Sequence, residues 1–169
     1  MIAWTVALAQ ADCTPVAPRG DVDGVVVHVD GELTATVGDT LAASGCDGKL
    51  RWVVRGRIAT LEGGEGPVAL TVPASVTRLT VDHRSGSVVI AVPAEVALVV
   101  TEGPAEVRGA ARLRVSWSTG DVTVDGVGDL VVDRLTGSIR GTALGRVALD
   151  GVTGEAAVSP PAPEPRPQG

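Results

Sequence analysis

The stretch that decides the fold is "STGDVTVDGVGDLVVDRLTGSIRG", residues 118–141, in which the pair Thr-Gly occurs twice. Between Gly120 and Gly137 almost every second residue is apolar. This alternation predicts short strands with one buried face, because successive side chains of a strand point to opposite sides. A glycine at the same place in each repeat suits a corner where the backbone needs a positive φ.

The repeat extends well beyond this stretch. Glycines 17 residues apart each end a nine-residue unit that begins with a charged residue, and a second alternating segment follows each of them; these repeat glycines are Gly86, Gly103, Gly120, Gly137 and Gly154. Two short strands per period, joined at a glycine corner, make one turn of a stacked β structure. The sequence therefore predicts an all-β fold, a single-stranded parallel β-solenoid (β-helix) with 17-residue coils and an irregular N-terminal β cap.

The first position of the nine-residue unit alternates in charge. In a parallel stack, equivalent positions of successive coils lie about 4.8 Å apart, and like charges there would repel. Asp133 and Asp150 are like charges in another column, and we expect both to face water. The alternating residues form a predicted charge ladder that supports the parallel register: Arg78, Glu95, Arg112, Asp129 and Arg146.

Four segments are predicted along the chain. Residues 1–11 have an apolar run and a small-x-small pattern, which predicts a signal peptide; the run is short and no Lys or Arg precedes it, so a truncated start or a first strand stays open. Residues 12–65 are predicted to form the N-terminal β cap, and residues 66–158 the β-solenoid. Residues 159–169 are predicted to be a Pro-rich disordered tail.

Local motifs refine these segments. "VDGE" at 29–32 predicts a hairpin turn within the cap. "GPVALTVPASV" from Gly66 echoes "GSVVIAVPAEV" from Gly86 with an offset of 20, which predicts that this coil carries three extra residues, in a longer strand or a bulged corner. Prolines directly after the last strand, beginning at Pro160, argue against unlimited end-to-end polymerisation.

Composition excludes several functions. The chain of 169 residues has 20 acidic and 14 basic residues, a net charge of -6, and no Lys/Arg cluster, so nucleic acid is not an expected partner. After the N-terminal segment no apolar run of about 18 residues occurs, and we expect no membrane span. Phe and Tyr are absent, which favours a thin core of Val, Leu and Ile between strands.

The two cysteines bear on the compartment. Cys13 and Cys46 fit one disulfide in an exported protein. The alternative is a pair of unpaired buried thiols in a cytosolic protein. We therefore expect a secreted, periplasmic or cell-surface location in a bacterium, and a cytoplasmic one if the N-terminal segment is not a signal.

The chain shows no constellation of catalytic, metal-binding or cofactor-binding residues, and no cofactor is expected. His28 and His83 are isolated, so a structural or solvated role is expected for both. "DVDG" at 21–24 begins like a Ca²⁺ loop, but the later ligands are missing, which favours a polar turn. Trp117 is expected to cover the edge of the core rather than to form a sugar platform.

Four aspartates lie in or near the opening stretch and are candidates for an acid/base set. The period assigns them to different positions around the coil, so they are not expected to converge as two catalytic carboxylates would. They are Asp121, Asp125, Asp129 and Asp133.

The segments "TGDVTV", "TGSI" and "VPAEV", with apolar pairs before each glycine, resemble the bacterial putative-adhesin β-solenoid domain family, a group whose function is mostly undefined. The resemblance covers roughly residues 66–158. It implies an envelope or secreted protein and supplies no catalytic residues.

The sequence leaves three functions open. The first is a non-enzymatic, adhesin-like structural or binding module of the cell envelope, with a protein or cell-surface glycan as its unidentified partner. The second is a scaffold that self-associates as bactofilin-type filaments do. The third is a β-helical enzyme acting on polysaccharides, which needs an acid cluster that the sequence does not show.

Overall fold

The computed structural model describes residue 13 and residues 15–46, 49–82 and 85–160. The predicted signal peptide, most of the Pro-rich tail and His83 lie outside the described residues. Within the described ranges the chain forms sixteen β-strands and no helix. Accordingly, this part of the protein has no helical segment that could span a bilayer.

The strands divide into two eight-stranded sheets. Sheet I has the order β15-β13-β11-β9-β7-β1-β5-β4. Its strands are β1 (Gly24–His28), β4 (Arg51–Arg55), β5 (Ile58–Glu62), β7 (Arg78–Asp82), β9 (Glu95–Val99), β11 (Arg112–Thr119), β13 (Asp129–Thr136) and β15 (Val147–Val152).

Sheet II has the matching order β16-β14-β12-β10-β8-β2-β6-β3. Its strands are β2 (Leu33–Val37), β3 (Ala42–Gly45), β6 (Val68–Val72), β8 (Val88–Ala91), β10 (Ala105–Arg108), β12 (Val122–Val127), β14 (Ile139–Ala143) and β16 (Ala156–Ser159). From β5 onward the chain alternates between the two sheets, so each 17-residue repeat unit gives one strand to each.

The prediction of a single-stranded parallel β-solenoid is wrong. The protein has two eight-stranded sheets with mixed pairing: β4 pairs antiparallel with β5, and β3 pairs antiparallel with β6, whereas the other pairs of named strands are parallel. Gly56, with a φ of 61°, forms the tight turn that folds β5 back on β4. The 17-residue period does not reach this part of the chain, so it could not reveal the change of direction.

The core lies between the two sheets and consists of aliphatic side chains. In β11, Leu113 and Val115 are completely buried. Leu113 is in register with Val96 of β9 and Leu130 of β13, so apolar residues from successive units stack directly. Each buried Val or Leu contributes about 1.5–3 kcal/mol relative to an exposed one, and such a core needs no Phe or Tyr.

The order of strands in the first half differs from the order along the chain. β1 lies between β5 and β7, and β2 lies between β6 and β8. The segment from Gly66 therefore does not stack directly on the segment from Gly86 in sheet II, because β2 lies between β6 and β8.

The expected hairpin at residues 29–32 is also absent, because β1 and β2 belong to different sheets. The turn is instead a corner between the sheets. Gly31 has a φ of 112°, and a Cβ on Gly86 would meet the Gly31 carbonyl oxygen. Gly31 thus belongs to the same column as the repeat glycines, although it lies outside the period.

Cys13 and Cys46 are joined by a disulfide, which ties the N-terminal segment to the end of β3. Val16 exchanges two backbone hydrogen bonds with Ala43, at 2.7 and 2.8 Å, and its carbonyl oxygen also accepts a bond from Trp52 Nε1 at 2.9 Å. These contacts cover the β3 edge at this end of the two sheets. Disulfides persist in oxidising compartments, so the bond is consistent with an extracellular or periplasmic location.

Candidate binding surface

The charged column lies on the outer face of sheet I. Glu95, Arg112 and Asp129 occupy paired positions in β9, β11 and β13. Arg112 Nη1 lies 3.5 Å from Glu95 Oε1, and Nη2 lies 3.7 Å from Asp129 Oδ2. Arg78 pairs with Glu95, and Arg146 donates its backbone N–H to Asp129 Oδ1 at 2.9 Å. The column joins successive units to one another.

The repeat glycines pack backbone against backbone along the corner between the sheets. A Cβ on Gly103, Gly120 or Gly137 would collide with the carbonyl oxygen of the repeat glycine one unit before it. The carbonyl oxygen of Gly86 lies where a Cβ on Gly103 would be, and the carbonyl oxygen of Gly137 lies where a Cβ on Gly154 would be. This column is a structural feature, since it offers no side chain to a ligand.

The four aspartates of the opening stretch do not converge. Asp121 Oδ1 accepts the backbone N–H of Ser138 at 2.9 Å, and Asp125 Oδ1 accepts the hydroxyl of Thr142 at 3.4 Å. Asp129 belongs to the charged column, and Asp133 is in register with Asp150. Three of them bond to the following unit, so they connect units rather than forming one site.

A second bend, directly after β9 and near the C-terminal ends of β11 and β13, carries exposed side chains in an unusual conformation. Val100, Trp117 and Arg134 have φ angles of 51°, 56° and 63°, in the left-handed region that non-glycine residues seldom adopt. They are spaced 17 residues apart and stand beside one another along the stack. A β-branched or bulky residue held there costs on the order of 1–3 kcal/mol, and such strain clusters at functional sites. We call these three residues the corner ridge.

Trp117 is the most prominent member of the corner ridge. Its side chain is 57% exposed, so the expectation that it covers the edge of the core is wrong. The positive φ turns the side chain away from the core, while the next residue, Ser118, points inward and is buried. Arg134 Cζ lies 3.9 Å from the centroid of the indole, a cation-π contact that orients both side chains.

Next to the corner ridge, a row of polar side chains crosses the ends of four strands of sheet I. Arg51 and His28 are in register on either side of Glu62. Arg51 Nη2 donates to Glu62 Oε2 at 2.6 Å, and His28 Nδ1 lies 3.2 Å from Asp82 Oδ2. The carboxylates and the imidazole are partly exposed, so the row forms a polar surface rather than a buried network.

This row forms part of the wall of an open cavity of about 500 Å³. Among the described residues that line it, three are acidic and the one basic group is an imidazole. The glycines after β5 have positive φ angles of 89° and 82°, which lets the chain turn away and leave the space open. The lining residues are His28, Val29, Asp30, Glu62, Gly63, Gly64, Asp82 and Val100.

Val100 connects the cavity to the corner ridge, because it belongs to both. Trp117 follows one unit later, about 5 Å farther along the stack. An acidic cavity beside an exposed indole can accept hydrogen bonds and attract a cation, while the ridge offers an apolar contact. Among the described residues, no group of three or more His, Cys, Asp and Glu side chains is placed to hold a metal ion.

His28 and Trp117 stand out in the sequence, but nothing in the sequence brings them together. His28 is 34 residues from Glu62 and 54 from Asp82 in the chain. Only the insertion of β1 between β5 and β7 makes His28 a neighbour of both carboxylates. The spacing of 17 that links Val100, Trp117 and Arg134 was visible, but their left-handed backbone was not.

Comparisons with known proteins do not add to this description. No protein-family model matches the chain, and no curated protein matches it. Membership of the putative-adhesin family is therefore a prediction from the repeat alone.

Proposed function

We propose that this protein is a non-enzymatic, exported or cell-envelope binding module whose binding surface is the corner ridge with the adjoining acidic cavity. The observation that carries the proposal is the exposure of Trp117 in a strained backbone conformation beside Arg134. Trp and Arg are the residues most enriched among those that dominate protein–protein binding. Backbone strain at an exposed aromatic residue lowers the stability of the fold, and a role in recognition accounts for the presence of such a residue.

The partner that fits this surface is a protein that inserts a basic side chain into the cavity. Asp30, Glu62 and Asp82 line the cavity, and Arg51 neutralises Glu62 alone, so a Lys or Arg of a partner finds complementary charge. A glycan is the weaker candidate, because Arg134 already lies over one face of the indole that a sugar ring would use. The disulfide supports an oxidising compartment for this interaction.

The experiment compares binding of the full chain to two panels: short peptides that differ only in carrying Lys/Arg, Gln or Glu, and an array of cell-surface glycans. We expect binding to the basic peptides, weakened by salt. Trp117→Ala should weaken it by about tenfold, and Asp82→Asn by a similar factor.

Matched controls are Val37→Ala, an exposed apolar residue on sheet II, and Glu106→Gln, a partly exposed carboxylate on the same sheet. Both controls should bind as the unaltered protein does. Binding to glycans alone, or binding that Trp117→Ala leaves unchanged, would contradict the proposal.

A further inference from the structure

The two ends of the paired sheets differ in how they are closed. At one end lie β3 and β4, both antiparallel to their neighbours, with the N-terminal segment bonded to β3. At the other end lie β15 and β16, the last strands of sheets I and II. No described strand pairs with their outer edges, so this second end, the open end, has two free strand edges side by side.

The open end exposes side chains that occupy core positions elsewhere. Val147 and Leu149 of β15 are 42% and 38% exposed, whereas Leu130 and Val132, their partners in β13, are buried. Leu144, in the preceding loop, is also exposed. Apolar core positions next to free strand edges are a surface that proteins normally cover.

We propose that the open end binds the open end of a second copy of this chain, by antiparallel pairing of β15 with β15 and of β16 with β16. If β15 pairs with itself about Ala148, Val147 of one copy lies opposite Leu149 of the second copy. The same register places Arg146 opposite Asp150 of the second copy. Apolar residues thus meet apolar residues, and opposite charges meet on the outer face.

The hydrogen-bonding directions agree with this register. The N–H of Leu130 donates to the carbonyl oxygen of Arg146 at 2.8 Å, so the backbone groups of Arg146 and Ala148 point toward β13. Those of Val147 and Leu149 then point to the free edge, because the direction alternates along a strand. With pairing about Ala148, Val147 of one copy lies opposite Leu149 of the second copy. The backbone N–H of each residue can then donate to the carbonyl oxygen of the other.

β16 has the same self-complementary arrangement. The N–H of Ile139 donates to the carbonyl oxygen of Glu155 at 2.8 Å, which leaves the backbone groups of Ala156 and Val158 pointing to the free edge. Pairing about Ala157 places Ala156 opposite Val158 of the second copy. A dimer that pairs both edges requires one two-fold axis that passes beside Ala148 in sheet I and beside Ala157 in sheet II, as an isologous interface does.

Charge favours a second copy over other occupants. Asp150 is in register with Asp133 within the chain, and Arg146 of the second copy would offset this like-charge pair. Residues 161–169, which follow β16 in the sequence, offer only Pro and Ala as apolar residues, and every second residue from Pro161 to Pro167 lacks an amide hydrogen. Because a two-fold interface between two open ends uses both of them, pairing stops at a dimer.

Sedimentation velocity of the full chain over a range of concentrations tests this inference. We expect a species of twice the 17.0 kDa monomer mass. Asp150→Arg places arginines opposite each other twice in the dimer and should weaken dimerisation by at least about tenfold. Arg146→Asp should act in the same way, and the double charge swap should restore the dimer.

The control is Arg108→Asp, an exposed charge reversal in β10 away from the open end, which should dimerise normally. Circular dichroism establishes that each variant is folded. A monomer at every concentration, open-ended filaments, a dimer indifferent to Asp150→Arg, or no rescue by the charge swap would overturn the inference. A monomer that dimerises only after removal of residues 161–169 would assign the open end to that segment instead. None of these outcomes depends on the peptide-binding surface.

Discussion

The carbonyl oxygen of Gly103 occupies the space that a Cβ of Gly120 would need. Gly120 also has a φ of 118°, so its backbone is unsuited to a side chain. Together these features make the glycine column a rule of packing between successive repeat units.

Gly120→Ala should therefore be strongly destabilising. The added methyl group would force the backbones of two units apart, and we expect a loss of unfolding free energy of about 3 kcal/mol or more. Gly126→Ala is the matched control: its φ is 60° and no atom lies within 4 Å of the added Cβ, so it should cost only about 1 kcal/mol. Equal losses in urea denaturation would contradict the packing explanation.

Replacing Val100 tests the strain in the corner ridge. Asn tolerates a positive φ much better than a β-branched residue does, and position 100 is 47% exposed. Val100→Asn should raise the free energy of unfolding by about 0.5–1 kcal/mol. Val131→Asn, an ordinary outward position in β13, should lower it because Asn is unfavourable in strands. Changes of the same sign in chemical denaturation would speak against strain at residue 100.

Removing the disulfide should destabilise the N-terminal segment and β3. The bond closes a loop of 33 residues, and its loss should cost about 2–4 kcal/mol. Thermal melts of the protein with and without dithiothreitol measure the effect. The double variant Cys13→Ser/Cys46→Ser should melt like the reduced protein and should not respond to dithiothreitol.

Arg112→Glu should be modestly destabilising. It would put three acidic side chains next to one another in the charged column, and we expect a loss of about 0.5–1 kcal/mol at low salt because Arg112 is half exposed. The loss should shrink at about 1 M NaCl, where such charges are screened. Arg112→Gln, which removes the attraction without adding repulsion, should lose less; a loss independent of salt would refute an electrostatic origin.

Val115→Asp should prevent cooperative folding. Val115 is fully buried between Leu98 and Val132, and an unpaired carboxylate there costs several kcal/mol. Arg114→Asp changes the neighbouring residue, which faces outward, and should leave a folded protein. A normal melting curve for Val115→Asp would contradict the assignment of the buried face.

Much of the repeat region could be predicted from residue spacing. Parallel, in-register pairing places residues i and i+17 side by side, so Leu113 with Leu130 and Arg112 with Asp129 follow from the period. The spacing does not predict the neighbours of the segment from Gly66, because β2 enters between β6 and β8. The exposure of Trp117 was missed because an apolar residue near a corner is usually part of the core, and the spacing carries no information about φ.

The sequence by itself determined that this protein is all-β, which side chains of each repeat face inward, and how charges are matched between units, because these depend on alternation and on a constant separation along the chain. Only the tertiary structure decided that there are two sheets of mixed pairing, that His28 stands between Glu62 and Asp82, and that one end carries exposed Val147 and Leu149. These features depend on which distant strands meet and in which direction. A period measures distance along the chain, whereas strand order is settled by the packing of the whole core.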